Sequence, residues 1–216
     1  MNTLFNFGDV YKDFSPVAKK LLNEFAVFRI PITNTPVFYN DSLQIVSACY
    51  GAALVRDSLA GLKILGKFKE GDILIGLGSN GSFSSEINLD DIVLPISLSC
   101  EYYDFKGKIL EPDKKVLNCL KKAINKEGQF FKEYVHGSVY AVFDEHTDHE
   151  RYTNSLYPRY KVKCVDCGES YALIKFAEEN KLNSAVLLYC SDDPKAHIAD
   201  LPKEEFDQRA LKFDML

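Results

Sequence analysis

The sequence lacks the features of a membrane-spanning, nucleic-acid-binding or disordered protein. No apolar run approaches the length of a membrane span. No long block of charges of one sign occurs, and the net charge of −5 argues against a surface built mainly for nucleic acid or anionic membranes. Low-complexity segments and internal repeats are also missing, and hydrophobic residues make up 46% of the chain. We therefore expect a folded protein with a sizeable core and no nucleic-acid or membrane partner.

A secretory signal is the next absence. The N-terminal stretch MNTLFNFGDVYKDF has no basic region followed by an apolar one. We therefore expect a cytoplasmic protein, in which the six cysteines are reduced thiols rather than disulfides. Four cysteines stand singly in apolar or mixed segments, and their default interpretation is that of small buried hydrophobic residues: Cys49, Cys100, Cys119 and Cys190.

Strand and helix patterns alternate along the chain. Two predicted strands, DILIGL and SAVLLYC, are apolar almost throughout, which is typical of strands buried on both faces. The pattern predicts an α/β fold, a single domain over residues 1–216 with a mixed central β-sheet flanked by helices. Helices are predicted over 15–25, 52–65, 114–125, 169–180 and 202–215. Strands are predicted over 3–7, 26–31, 37–39, 43–49, 72–77, 91–96, within 131–143, over 160–165 and over 184–190.

Two residue pairs have the spacing of metal ligands. They are His146 with His149, and Cys164 with Cys167. Zinc sites use two histidines and two cysteines, but in zinc fingers the cysteines come first and the domain is small. Here the order is reversed within a large domain. Zinc binding is therefore a lesser alternative, and a redox-active C-x-x-C pair is weaker still.

A G-x-G-x-x-G pattern runs from Gly76 to Gly81, directly after a predicted strand. A dinucleotide site also needs a helix that opens at the motif, so that its N-terminus meets the pyrophosphate. The residues that follow, SFSSEINLDDIVLP, have no helical periodicity. We expect instead a Gly/Ser turn at the end of a buried strand, whose backbone N–H groups could hold a small anion.

Three segments together resemble the nucleoside phosphorylase and nucleosidase superfamily. LIGLGSNGSFSSEINLDDIVLP is similar to its strand, G-S-x-G turn and following strand. CVDCGESYALIKFAEENKLNSAVLLYCSDDP resembles its second signature, where a Met-Glu pair opens a helix and the next strand ends in Ser-Asp. LFNFGD is similar to the first strand and Gly-Asp turn of the phosphorylase branch. The resemblance covers nearly the whole chain and implies a three-layer α/β/α fold.

The resemblance also implies roles for individual residues. Glu169 would hold the ribose hydroxyls, because a carboxylate can accept two hydrogen bonds from a vicinal diol. Asp192 would act as the general acid that protonates the departing purine at N7. Further contacts are implied for the sugar at Tyr50 and for the base at Phe143 and Ser191. A phosphate site is implied at Gly8, Lys12, Arg29 and Ser79, with Arg29 supplied by a neighbouring subunit.

The chain departs from the family pattern at several positions that bear on activity. A second arginine expected shortly after Gly8 and Asp9 is absent, with Lys12 nearby as a possible substitute. Gly76 replaces the arginine that usually precedes the G-S-x-G turn, and Gly168 replaces the methionine before the sugar-binding glutamate. The function implied is still cleavage of the N-glycosidic bond of a purine nucleoside in nucleotide salvage. The enzyme would be a nucleoside phosphorylase, which is a pentosyltransferase, or a nucleosidase of the N-glycosidase type. A catalytically degenerate nucleoside-binding protein is the alternative.

The resemblance implies no cofactor, although a phosphorylase would use inorganic phosphate as its co-substrate. It implies a homo-oligomer, a dimer or a hexamer, in which the subunit interface completes the sites. The metal pairs at His146, His149, Cys164 and Cys167 have no role in this interpretation.

Overall fold

The computed structural model describes twelve strands and helices spread over most of the chain. The described residues are 3–7, 26–29, 36–40, 45–47, 52–82, 84–100, 108–138, 161–166, 168–192, 202, 204–205 and 208. The helices are α1 (Ala52–Ile64), α2 (Lys114–Lys126) and α3 (Glu169–Glu179). The strands are β1 (Thr3–Phe7), β2 (Ala26–Arg29), β3 (Pro36–Asn40), β4 (Ile45–Ser47), β5 (Ile73–Ser82), β6 (Ile92–Cys100), β7 (Phe131–Ser138), β8 (Cys164–Asp166) and β9 (Asn183–Asp192).

The nine described strands form one sheet in the order β2-β3-β4-β1-β5-β8-β7-β6-β9. Strand β5 also pairs with β9, so that β5, β8, β7, β6 and β9 form a closed ring. Neighbours are parallel in β4–β1, β1–β5, β5–β9, β6–β7 and β7–β8, and antiparallel in β2–β3, β3–β4, β5–β8 and β6–β9. The predicted mixed sheet is therefore confirmed.

Helices cover both faces of the central strands. Leu74 and Val186 belong to a core cluster with residues of α1 and α3, whereas Ile75 and Ala185 pack with Val116 of α2. Successive residues of β5 and β9 point to opposite faces, so apolar residues at both parities give both strands two buried faces. The predicted α/β/α layering is confirmed. Within the described part of the chain, no helix is both long and apolar enough to span a membrane.

Helix α2 shows how the local sequence sets an element. Asp113 is its N-cap, and its Oδ1 accepts bonds of 2.9 Å from the backbone N–H groups of Lys115 and Val116. Val116, Leu117 and Ile124 are buried at helical spacing and contribute roughly 1.5–3 kcal/mol each. Cys119 lies off this stripe and is exposed, so its prediction as a buried residue is wrong. Cys100 and Cys190 are buried as predicted, and Cys49 lies outside the described residues.

The predicted helices over 52–65, 114–125 and 169–180 are confirmed with nearly the expected bounds. The predicted helix over 15–25 lies outside the described residues. In the predicted helix over 202–215, Glu204, Glu205 and Gln208 are helical and most other positions lie outside the described residues.

Two strand predictions need correction. Strand β5 does not end at Leu77, as predicted, but continues to Ser82, so the predicted Gly/Ser turn is wrong. Pairing with β9 along this whole length outweighs the turn preference of glycine and serine. Cys164, expected near the end of a strand over 160–165, instead begins β8, which runs to Asp166.

Candidate active site

Three of the predicted site residues lie where strands of one direction end. Strands β1, β4, β5 and β9 run in one direction, and two antiparallel steps through β3 give β2 the same direction. We call the edge where they end the carboxyl edge. Ser79 lies near the end of β5, Asp192 ends β9 and Arg29 ends β2. Ligands of open α/β sheets bind at this kind of edge.

The carboxyl edge contains a break in strand pairing beside β5. Strand β9 covers one side of β5 from Ile73 to Gly81, so β1 and β8 must share the other side. Within the described residues, the pairing of β1 with β5 runs as far as Leu77, and β8 pairs with Gly81 and Ser82. Among these residues, Gly78 and Ser79 pair with neither β1 nor β8. We call this break in the described pairing, between Leu77 and Gly81, the β5 gap.

Ser79 and Ser191 differ in their access to the β5 gap. Ser79 is half-buried and lies opposite Tyr189 in the pairing of β5 with β9. Ser191 is 1% exposed, and its hydroxyl donates a 3.4 Å bond to the carbonyl oxygen of Asn80. A register shift then sets Asp192, rather than Ser191, opposite Gly81. Such a bulge re-aims the residues at a strand end. The contact of Ser191 with a base stays a prediction.

Helix α3 begins beside the β5 gap. Continuing the β5–β8 register by one residue sets Asp166 opposite Asn80, and the helix starts three residues later at Glu169. Gly168 is the N-cap and has a φ of 105°. Both oxygens of the Asp166 carboxylate accept backbone bonds of 2.9 Å, Oδ1 from Gly168 and Oδ2 from Ser170. Glu169, half-buried in the first turn, lies between these two anchored residues.

An ion cluster fixes the loop after β5 against β7 and β8. Lys163, just before β8, donates to the carboxylate of Glu86 and lies 5.0 Å from the centre of the Tyr134 ring. The hydrogen bond from Lys163 lowers the pKa of Glu86, and the charge of Lys163 adds to this effect against desolvation. Desolvation by burial, followed by the charge of Glu86, raises the pKa of Tyr134. Lys132 also donates to the backbone oxygen of Glu86.

The same loop also contacts the end of β9. The backbone N–H of Asp90 donates to the carbonyl oxygen of Cys190 at 2.9 Å, and the N–H of Cys190 donates to the carbonyl oxygen of Asp91 at 2.9 Å. Tyr189 donates its hydroxyl to the Asp90 carboxylate. These bonds fix the strand just before Asp192.

Two buried asparagine side chains near the site have unsatisfied polar atoms. Asn6, 1% exposed, lies opposite Gly76 on β1, and neither its amide nitrogen nor its amide oxygen has a partner. Asn80, 2% exposed, has an unpartnered Oδ1. Buried polar groups are nearly always hydrogen-bonded, and exceptions concentrate at functional or hydrated positions. The apolar pattern of these strands did not predict that either asparagine side chain would be buried with unpartnered polar atoms.

Several predicted residues cannot be compared with this geometry. Gly8, Lys12, Tyr50 and Phe143 lie outside the described residues, as do His146, His149 and Cys167 of the zinc alternative. Cys164 is buried at the start of β8. No cluster of three or more histidine, cysteine or acidic residues that could hold a metal occurs among the residues that the structure describes.

Arg29 and Ser79 are not neighbours in one chain. Strands β3, β4 and β1 lie between β2 and β5, which separates the two strands by about 19 Å at roughly 4.8 Å per strand. The resemblance assigns Arg29 to the site of a neighbouring subunit, and that assignment stays a prediction.

Sequence reasoning missed Asp166. A signal was present, because an aspartate two residues before a glycine and a helical pattern can supply the cap that glycine lacks. The bulge at Ser191 and the β5 gap had no such signal, since both depend on which strands pair.

Known proteins resemble the chain in structure but not in sequence. No protein-family model matches the chain, and no curated protein sequence matches it. The native structure of futalosine hydrolase from Helicobacter pylori strain 26695 has a TM-score of 0.75 at 14% identity and covers 99% of this chain and 94% of its own.

Two nucleosidase structures are equally similar. The 5'-methylthioadenosine/S-adenosylhomocysteine nucleosidase of Helicobacter pylori with butyl-thio-DADMe-Immucillin-A has a TM-score of 0.75 at 15% identity and covers 100% of this chain and 95% of its own. The corresponding Campylobacter jejuni nucleosidase has a TM-score of 0.74 at 13% identity and covers 100% of this chain and 94% of its own. The predicted resemblance to the nucleoside phosphorylase and nucleosidase superfamily is therefore confirmed for the fold.

Proposed function

We propose that the protein cleaves the N-glycosidic bond of a purine nucleoside, with water as the acceptor. The observation that supports this proposal is that Ser79 and Asp192 lie near the ends of the paired strands β5 and β9, while Glu169 begins the helix that follows β8. The structurally similar proteins are described as a hydrolase and nucleosidases, which favours water over phosphate.

In the proposed reaction, the bond between the purine nitrogen and the anomeric carbon breaks, and its electron pair leaves with the base. Asp192 donates a proton to N7 of the departing purine, and general acid catalysis of this kind contributes roughly 10²–10⁴-fold. Water then bonds to the anomeric carbon and releases a proton to the solvent, from which Asp192 is reprotonated, so the products are the free base and the free sugar. No cofactor is needed for these steps.

Glu169 supplies the sugar contact in this proposal. Its carboxylate accepts bonds from the two ribose hydroxyls and keeps the sugar oriented while positive charge develops at the anomeric carbon. The transition state is expected to resemble an oxocarbenium ion, so the negative charge of Glu169 also stabilises it. Tyr50, Phe143 and Ser191 remain predicted contacts to the sugar and the base.

Phosphate is the alternative acceptor. Gly8, Lys12, Arg29 and Ser79 form the predicted phosphate site, with Arg29 supplied by a neighbouring subunit in a dimer or hexamer. The glycine at position 76 removes an arginine from this set, and a charge-assisted bond of this kind contributes about 1.5–3 kcal/mol. This loss weakens the case for phosphorolysis more than the case for hydrolysis.

The test is to incubate the purified protein with inosine, adenosine and methylthioadenosine, with and without inorganic phosphate, and to measure free base by chromatography. We expect free base without phosphate. Glu169→Gln and Asp192→Asn should each lower kcat/KM about 100-fold or more. Glu179→Gln is the matched control, because Glu179 is exposed in the last turn of the same helix and pairs with Lys175.

Each outcome decides between the alternatives. Free base only in the presence of phosphate would select the phosphorylase, and no free base in any mixture would exclude the enzyme. The degenerate nucleoside-binding protein is favoured by the departures at Gly76 and Gly168. It predicts a rise in Tm with a nucleoside but no turnover, since a ligand that binds only the native state stabilises it.

A further inference from the structure

We propose that Asp166 is the positioning residue of the sugar site, which fixes Glu169 against the strand that carries Ser79. The inference rests on the proposed function and deepens it. Asp166 lies outside every role that the family resemblance implied, and its part follows from two hydrogen bonds and one strand pairing.

Asp166 anchors the backbone on both sides of Glu169. Its Oδ1 accepts from the N–H of Gly168 at 2.9 Å, and its Oδ2 accepts from the N–H of Ser170 at 2.9 Å. The carbonyl of Gly168 also accepts the first bond of the helix, from Ala172 at 3.0 Å. The peptide units that flank Glu169 are therefore both tied, and the direction of its Cα–Cβ bond is set.

The N-cap residue of the helix has no side chain with which to cap it. Gly168 occupies the N-cap position with a φ of 105° and makes no side-chain cap bond. A left-handed residue lets the chain turn sharply from β8 into α3. Asp166 thus supplies from upstream the acceptors that a serine or aspartate N-cap normally supplies.

Strand pairing connects Asp166 to the rest of the site. Val165 and Cys164 pair with Gly81 and Ser82 of β5, and Asp166 pairs with Ser138 of β7. Asp166 is therefore fixed to the same strand as Ser79, across the β5 gap. Strand pairing fixes the backbone of Asp166 relative to β5, and its carboxylate fixes the backbone around Glu169. Asp166 thereby sets the distance between Glu169 and the rest of the site.

An ordinary cap would have a different consequence. Removing an ordinary N-cap lowers stability but leaves a distant site intact. If Asp166 positions Glu169, its removal should also weaken the recognition of the ribose hydroxyls in particular. The chain offers a matched control in Asp113, which accepts two backbone bonds of 2.9 Å at the start of α2. The backbone N–H of Asp113 donates to the carbonyl oxygen of Ser184, which lies near the start of β9, whereas Asp192 lies at its other end.

The experiment compares the full-length wild type with Asp166→Ala, Asp166→Asn and Asp113→Ala, well below the Tm of each. Steady-state kinetics are measured with adenosine and with 2'-deoxyadenosine. We expect Asp166→Ala to raise KM for adenosine about tenfold to a hundredfold and to reduce the preference for the ribonucleoside. Asp166→Asn retains one acceptor and should fall between wild type and Asp166→Ala. Asp113→Ala should lower Tm similarly without changing either quantity.

An unchanged KM and an unchanged ribose preference in Asp166→Ala would overturn the proposal, and so would equal changes in Asp113→Ala. Amide hydrogen exchange separates this inference from the proposed function. Faster exchange at residues 168–170 in Asp166→Ala, but not in Asp113→Ala, shows that Asp166 fixes Glu169 even if the wild type cleaves no nucleoside. Unchanged exchange there overturns the positioning role whatever the activity.

Discussion

Gly76 lies so close to Leu173 that a side chain at position 76 would crowd it. An ideal Cβ at Gly76 would lie 3.0 Å from Cδ1 of Leu173, and 3.3 Å from a methyl carbon of Val186. Gly76 thus lies under helix α3, in the core on that face of the sheet. At the position where the resembled family has an arginine, even a methyl group would crowd Leu173 and Val186 in this chain. The packing of α3 against β5 therefore depends on the glycine at position 76.

Gly76→Ala should lower the free energy of unfolding by about 1–3 kcal/mol, because Leu173 is 2% exposed and has little freedom to shift. Gly78→Ala is the control, since a Cβ there meets only Cδ2 of Leu188 at an ordinary 3.7 Å. It should be neutral or slightly stabilising, because alanine loses less backbone entropy than glycine. Urea denaturation measures both. Equal effects of the two substitutions would contradict the packing argument.

Asn6→Leu should raise the free energy of unfolding by about 1–3 kcal/mol. The substitution keeps the approximate size of the side chain and removes a buried amide that has no partner. Asn183→Leu serves as the control, because the Asn183 side chain donates a 2.9 Å bond to the carbonyl of Gly71, and its loss should be destabilising. A fall in Tm for Asn6→Leu would show that its amide binds a buried water molecule.

Gly168→Ala should lower stability by roughly 1–2 kcal/mol, because a φ of 105° is strained for a residue with a Cβ. It should also lower kcat/KM for the nucleoside, since any relaxation of this turn displaces Glu169. Gly128→Ala carries comparable strain, with a φ of 73° beyond the end of α2. A loss of activity in Gly128→Ala as large as in Gly168→Ala would contradict the role of the turn. Thermal unfolding and initial rates measure both effects.

Glu86→Gln should flatten the dependence of Tm on pH in the acid range. The folded protein lowers the pKa of Glu86 from its ordinary value of 4.5, chiefly through the bond from Lys163. The stabilising contribution is therefore complete above pH 4.5 and disappears as the pH falls through the folded-state pKa. Because Glu86 is exposed, the effect should be small and should shrink in high salt.

Lys163→Met should weaken the same acid-range dependence, and adding it to Glu86→Gln should cause little further change. An undiminished pH dependence in Glu86→Gln would mean that other carboxylates account for it. Thermal melts from pH 3 to pH 7 at low and high salt provide the comparison.

The sequence predicted the parts of the fold that local pattern controls. Helix α3 begins at Glu169 as expected, and β1 spans Thr3–Phe7 as expected. Helical periodicity and short apolar runs report directly on burial, so they determine such elements. The resemblance predicted the layering and the meeting of Ser79 with Asp192 at one edge.

The parts that failed are those that distant pairing controls. The glycines after Leu77 suggested a turn, but β9 pairs with them and continues the strand to Ser82. The two backbone hydrogen bonds of Asp166 were missed because Gly168 and Ser170 come within reach of its carboxylate only where the chain turns from strand to helix. Cys119 was misassigned because burial depends on the side of the helix that meets the sheet.

The closed ring of strands constrains the order in which the strands can pair during folding. Strand β5 gains its long partner only when β9 is present, and Ile73 pairs with Asn183 far later in the chain. Closing so large a loop costs entropy before any contact is gained, which slows folding. During synthesis the ribosome must release almost the entire chain before β5 loses its open edge. The strand end that carries Asp192 therefore joins β5 late, and a chain truncated before residue 183 would lack both the ring and Asp192.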